Sequence, residues 1–294
     1  MLQLLDNEIT KLIEVSQQHA CCVQVYSSTK EGIASGTVLD NGYILTNQHV
    51  VESANNVDIL YNNQVYSAEK LGEDKLTDLA LLKIDYEKPA PSFVWLTNLK
   101  LGQLVIAIGN PLGFQSSVSI GIISGMNRDI PNRFGRLMNN MIQCTTSINP
   151  GNSGGPLLNI NGDIVGITTA SIIGTEGMHF AIPSNTATWV GSEIATYGEV
   201  VRGFLGIAGR TVICLIDDKV QKVFQIDSVA PGSPATKILE SGDKVFNINS
   251  SPISFLEDIH KALGRESIGQ EVPILFLREG KACLRHIIPE KLEI

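Results

Sequence analysis

The sequence predicts an all-β domain of barrel or sandwich type followed by a smaller α+β domain. Three features carry that expectation. Short apolar runs recur at strand spacing through the first part of the chain, asparagine–glycine pairs stand between some of them, and the pattern changes character just before residue 199. Many short strands without intervening helical periodicity argue against alternating α/β units.

The opening segment places Leu2, Leu5, Ile9, Leu12 and Ile13 at helical spacing, which predicts an amphipathic helix over 2–17. From about Cys21 the runs become strand-like: Gly36–Leu39, Tyr43–Thr46, Val57–Tyr61, Leu79–Ile84, Leu104–Ile108, Ser119–Ile123 and Ile164–Thr168. Asn41-Gly42 and Asn161-Gly162 lie between apolar runs and mark hairpins. Trp189, Val190, Ile194 and Ala195 then predict a short helix ending before Gly198. Beyond it come strands at Val212–Leu215, Val223–Val229, Val245–Ile248 and Val272–Leu277. A brief helix follows Pro231-Gly232-Ser233-Pro234, and another spans Phe255–Leu263 with Ser254 as its N-cap. These signals divide the chain into domains 1–198 and 199–294.

Of the 294 residues 43% are hydrophobic and 18% charged, enough apolar material for packed cores. The net charge of −8 disfavours nucleic acid or an anionic membrane as partner, since both require concentrated Lys and Arg. The densest basic cluster, Arg128, Arg133 and Arg136, reads as a solvated loop. Five cysteines with no C-x-x-C spacing suggest reduced, packed thiols, no zinc and no other metal or cofactor. No apolar run approaches the ~20 residues that span a bilayer. Residues 1–6 show no basic, apolar or cleavage features of a leader, so the chain as written reads as cytoplasmic, or as periplasmic or secreted if a leader has been trimmed.

The sharpest chemical feature is Asn149-Pro150-Gly151-Asn152-Ser153-Gly154-Gly155-Pro156. Glycines on both sides of a serine permit a tight loop that presents the hydroxyl. The same loop can aim the Gly151 and Ser153 amides at one point, where a carbonyl oxygen turns negative during acyl transfer. A glycine-rich turn between strands is the alternative. A serine nucleophile needs a base, and His49 follows directly on the run Tyr43–Thr46, where a rigid sheet can aim an imidazole. His19, His260 and His286 read as surface residues. Asp78 stands at the mouth of the apolar run Leu79–Ile84, where a carboxylate is costly unless paired, and it can orient the imidazole. Asp58, Asp74 and Asp85 have weaker claims.

The ordered set resembles the HtrA/DegP family of serine proteases. The matching stretches are Ser35–Leu39 through Thr46–Val51, Thr77–Ala80, Ala107–Pro111, Gly121–Ser124, Asn149–Leu157 and Phe180–Asn185, covering most of 33–186 in order. The resemblance implies a trypsin-like double β-barrel followed by a PDZ domain. It implies Ser153 as nucleophile, His49 as base then acid, Asp78 as orienting carboxylate, and the Gly151 and Ser153 amides as oxyanion hole. It further implies cleavage of unfolded or misfolded proteins in quality control and stress response, with a small aliphatic residue before the scissile bond. Ile148, Ile172 and His179 are the candidate pocket residues. Two departures bear on that pocket: Thr145 stands where the family carries Asp, and His179 where it carries a small residue. His179 is open to two readings, a pH-sensitive gate or a satisfied loop histidine. The family's N-terminal aromatics that lock a homotrimer have no clear match, the first aromatic here being Tyr26.

Arg202-Gly203-Phe204-Leu205-Gly206-Ile207 resembles the carboxylate-binding loop of PDZ domains, with Phe204, Leu205, Gly206 and Ile207 facing a peptide C-terminus. Later matches at Val229–Ala235, Ser241–Val245 and Asn247–Asn249 follow the PDZ order. The alternative is a PDZ fold that docks internally. For the whole chain, a proteolytically silent chaperone or scaffold that keeps the protease fold is the competing function.

Overall fold

A computed structural model describes residues 2–28, 31–87, 94–110, 117–131, 137–149, 151–171, 178–216 and 219–293. The chain divides into two compact units, Met1–Val200 and Val201–Ile294.

In the first unit, helix α1 (Leu2–Ser16) precedes strands β1 (Ala20–Tyr26), β2 (Glu31–Val38) and β3 (Tyr43–Thr46), the one-turn helix α2 (Gln48–Val51), and strands β4 (Asn56–Tyr61), β5 (Gln64–Asp74) and β6 (Leu79–Lys83). The six strands close into a barrel in the order β1-β2-β3-β6-β5-β4. A second barrel follows: β7 (Leu104–Gly109), β8 (Ser117–Pro131), β9 (Leu137–Cys144), β10 (Pro156–Asn159), β11 (Ile164–Ser171) and β12 (His179–Pro183), closed in the order β10-β11-β12-β9-β8-β7. Helix α3 (Ser184–Tyr197) ends the unit. Gly198 at φ 76° caps α3, donating its N–H to the Ile194 C=O at 2.8 Å.

The burial pattern explains the runs seen in the sequence. β4 alternates, with Val57 and Ile59 filling the first barrel. In β6, by contrast, all of Leu79–Leu82 is buried. Ala80 and Leu82 fill the barrel, whereas Leu79 and Leu81 join a cluster with Ile167, Phe180 and Ile182 of the second barrel and Ala187, Val190 and Ile194 of α3. Each such side chain contributes roughly 1.5–3 kcal/mol on burial, so a charge at Leu81 would break the seam between the barrels. Asn41 and Gly42 both take left-handed backbone in the β2–β3 turn, at φ 58° and 70°. A Cβ at Gly42 would stand 2.5 Å from the Ile84 carbonyl. Strand β5, most of whose residues are exposed or half-buried, had no apolar run to announce it.

Two expectations need correction. His19 is buried rather than on the surface, because the chain makes a tight turn (Gln17–His19) from α1 into β1. Its burial lowers its pKa. In the second unit, Ser254 does not cap a helix: its hydroxyl donates to the Lys222 C=O, while Asp258 accepts the N–H groups of Ser254 and Phe255, each at 2.9 Å.

The second unit contains β13 (Gly203–Phe204), β14 (Ile207–Ile216), β15 (Lys219–Val229), β16 (Lys244–Ile248), β17 (Ser251–Pro252), α4 (Leu256–Ala262), β18 (Val272–Arg278), β19 (Lys281–Ile287) and β20 (Glu290–Lys291). The main sheet runs β14-β15-β16-β18-β19, with β14 at its edge. Leu205, Phe224, Ile226, Val245, Ile259, Ile274 and Phe276 form its core. The cysteines are free, and burial raises the thiol pKa of Cys21, Cys22 and Cys144, which suits packing rather than reactivity. Among the described residues no helix is long and apolar enough to cross a membrane.

Candidate active site

β3 carries the chain out of the first barrel through buried Asn47 into α2, which presents His49. Asp78, just before β6, meets this segment twice. Its backbone C=O accepts the Gln48 N–H at 3.1 Å and the Asn47 Nδ2 at 2.9 Å. Its carboxylate accepts the His49 N–H at 3.0 Å and lies 2.8–2.9 Å from His49 Nδ1. With Nδ1–H donating to the carboxylate, the Nε2 lone pair is the one left to take a proton. Asp78 itself is buried and sits at φ 58°, a left-handed backbone that Asp tolerates better than most residues.

A third donor to this carboxylate comes from the second barrel. Thr169 Oγ1 donates to Asp78 Oδ2 at 2.6 Å. A buried carboxylate with three donors keeps its charge at far lower cost than an unpaired one. Thr169 was missed in the sequence. The only trace is that the apolar run Ile164–Ile167 ends in two threonines, both buried.

Ser153 lies between β9 and β10. Its hydroxyl donates to the Thr169 C=O at 2.9 Å, so Thr169 touches the Asp78 carboxylate through its side chain and the serine through its backbone. Among the described residues no hydrogen bond joins Ser153 to His49. The loop is built on glycine. Gly151 has φ 102° and the Asn152 N–H closes a turn on the Asn149 C=O at 3.0 Å. Gly154 has φ 88°, and a Cβ there would meet the Ser35 carbonyl at 2.2 Å. Among the described residues neither the Gly151 nor the Ser153 amide has a backbone acceptor.

A cleft of about 550 Å3 opens beside His49 and Ser153. The first barrel lines it with Ile33, Ala34, Val50 and Ala54, and the second with Ile148, Gly151 and Thr169. Of the three pocket residues expected, Ile148 borders this cleft, Ile172 lies outside the described residues, and His179 is not among the lining residues. His179 opens β12, pairing with Cys144 and Ser171; burial lowers its pKa, and among the described residues its Nδ1 has no hydrogen-bond partner. Thr145, the other departure, is satisfied by Ile122: its N–H donates to that residue's C=O and its Oγ1 accepts that residue's N–H, both at 3.0 Å.

In the second unit Phe204 pairs with Glu290, Leu205 is buried, and Gly206 has φ 76°. A Cβ at Gly206 would lie 2.1 Å from that of Ser233, so only glycine fits. The Gly206 C=O accepts the Ala230 N–H at 2.7 Å, and Ile207 starts the edge strand β14.

Residues 34–167 match the family model of the trypsin-like peptidase domain, and 212–284 that of the PDZ domain. The chain is 37% identical over 264 residues to the serine protease Do-like HtrB of Bacillus subtilis, covering 82% of this chain and 58% of that protein. It is 34% identical over 264 residues to the periplasmic pH-dependent serine endoprotease DegQ of Escherichia coli, covering 85% and 58%. A solved serine endoprotease from Yersinia pestis superposes with a TM-score of 0.69 at 32% identity, covering 97% of this chain and 98% of that one. The chain spans little more than half the length of the two curated relatives. The expectation of a cytoplasmic chain is overturned here, since the E. coli relative is periplasmic by name.

Proposed function

The chain belongs to the HtrA/DegP family of serine proteases, and from that premise we propose that it is an endopeptidase acting on unfolded or misfolded protein chains. Ser153 is the nucleophile, His49 the base and then the acid, and Asp78 the orienting carboxylate. The observation that carries this assignment is the paired His49 and Asp78, tied by Thr169 to a serine that borders the same cleft.

Ser153 turns from Thr169 to His49, gives its proton to Nε2, and attacks the scissile carbonyl. Asp78 stabilises the imidazolium that forms. The amides of Gly151 and Ser153 receive the new oxyanion. His49 then protonates the leaving amine, and water, activated the same way, releases the acyl group.

One observation favours a proteolytically silent chaperone: in the resting arrangement the Ser153 hydroxyl donates to a backbone carbonyl rather than to His49. Incubation with unfolded casein and a fluorophosphonate probe separates the two. Cleavage together with labelling at Ser153 is expected, and substrate binding without either would favour the silent form.

The second unit captures peptide C-termini, with the loop at Phe204–Ile207 receiving the carboxylate and edge strand β14 adding the peptide as a further strand. Peptides bind on the order of micromolar. Carboxy-amidated versions bind much more weakly, because the charge-assisted hydrogen bonds are lost. Equal titration curves for both forms would refute carboxylate capture.

A further inference from the structure

Ser35 lies in the middle of β2, in the first barrel, at 0% exposure. Its hydroxyl donates to the Gly151 C=O at 2.6 Å and accepts the Asn110 N–H at 2.7 Å. Its own N–H donates to the Ser153 C=O at 3.0 Å, and its C=O accepts Thr46 Oγ1 at 2.8 Å. One buried residue of the first barrel therefore grips two carbonyls of the catalytic loop, which belongs to the second.

A peptide group is planar and trans, so fixing its C=O fixes the direction of its N–H. The plane carrying the Ser153 N–H is held through the Asn152 C=O, which accepts Thr168 Oγ1 at 2.7 Å and the Gly155 N–H at 3.1 Å. The planes on either side present the Gly151 and Ser153 carbonyls, and both are held by Ser35. Gly151, at φ 102°, is where the loop is intrinsically softest, since glycine lacks the Cβ that restricts other residues. A side-chain hydroxyl closed on its carbonyl supplies the restraint that glycine does not.

We infer that Ser35 is a positioning residue for acyl transfer, whose hydroxyl holds the Gly151–Asn152 peptide so that the neighbouring amides converge on the oxyanion. This role rests on the endopeptidase function proposed above. Charge on the carbonyl oxygen appears only in the transition state, so loss of the restraint acts on kcat and spares ground-state binding.

Thr37, two residues along the same strand, provides the control. It is equally buried, and its Oγ1 donates across the barrels to the Gly154 C=O at 3.0 Å. That peptide, unlike Gly151–Asn152, adjoins neither of the peptides that carry the two oxyanion amides. The test measures, on the full chain, kcat and KM for a fluorogenic peptide, affinity for a peptidyl boronate of the same sequence, and melting temperature. The boronate forms a tetrahedral serine adduct with an oxygen in the oxyanion position. Ser35→Ala is expected to lower kcat about 10- to 100-fold, less than the loss of a whole oxyanion donor. Boronate affinity should fall in parallel while KM stays within about twofold. Thr37→Val should melt earlier but keep kcat within about twofold. Should Ser35→Ala not fold, Ser35→Cys, which keeps a weak donor, is read the same way and should fall between the two.

An active wild type whose Ser35 variants keep kcat, or lose kcat without losing boronate affinity, overturns the positioning role alone. A wild type that neither cleaves the peptide nor binds the boronate overturns the endopeptidase function and this role with it.

Discussion

The two barrels share a strand count and a closing order but contribute opposite kinds of order to the site. The first barrel delivers His49 and Asp78 already locked. Buried β3 ends just before the segment that holds His49, buried β6 begins right after Asp78, and the Asp78 carboxylate and carbonyl are gripped from the 47–49 segment. The second barrel delivers Ser153 on a loop whose glycines at 151 and 154 take left-handed backbone, and the serine hydroxyl points at a carbonyl. The half proposed for acid–base work is thus pre-organised by packing, whereas the half that carries the proposed nucleophile depends on restraints brought from elsewhere. Thr169 carries one such restraint toward the first barrel, and Ser35 returns another.

The largest effect should come from the softer half. Ser153→Ala is expected to reduce kcat by about 10⁶-fold with the fold intact, since triad members act as a unit. More than a few per cent residual cleavage by the pure variant would remove Ser153 from the mechanism. Asp78→Asn, in the rigid half, should cost about 10⁴-fold, because the amide no longer selects the productive imidazole tautomer. If instead Asn at 78 were nearly silent, the carboxylate would be structural rather than orienting.

Thr169→Val removes the hydrogen bond between the halves while leaving the carbonyl that Ser153 meets. It should lower kcat/KM by about tenfold and stability by about 1–3 kcal/mol, as expected when a buried carboxylate loses one of its donors. Denaturant unfolding alongside kinetics reads both, and unchanged values would mean that the barrels do not communicate at this point.

The smallest effect concerns pH. Burial depresses the pKa of His179, so the unfolded chain binds this proton more readily than the folded one. Stability is therefore full above the ordinary histidine value of about 6.5 and declines as pH falls through it, levelling off below the lowered folded value. His179→Gln should flatten that decline between neutral pH and about 5, with His19 left to account for part of the slope. An unaltered slope in unfolding curves would show that His179 does not contribute to it.

Much of the candidate site was legible in the sequence because the relevant signals are local. Glycines around Ser153, a histidine at the end of an apolar strand, and a carboxylate at the mouth of another each answer to conformational or solvation demands within a few residues. The alternation in β4 and the Asn41-Gly42 turn are local in the same sense. Strand β5 and the Asp258 cap were not legible, the first because it buries little and the second because Asp258 reaches back along the chain in place of the expected serine. Which carbonyl receives the Ser153 hydroxyl, which threonine steadies Asp78 and which serine steadies Gly151 were decided only by tertiary structure. Thr169 and Asp78 are 91 residues apart and Ser35 and Gly151 are 116 apart. Such pairs meet only after both barrels have closed and packed together, and polar residues that far apart leave no periodicity in the sequence to reveal their partners.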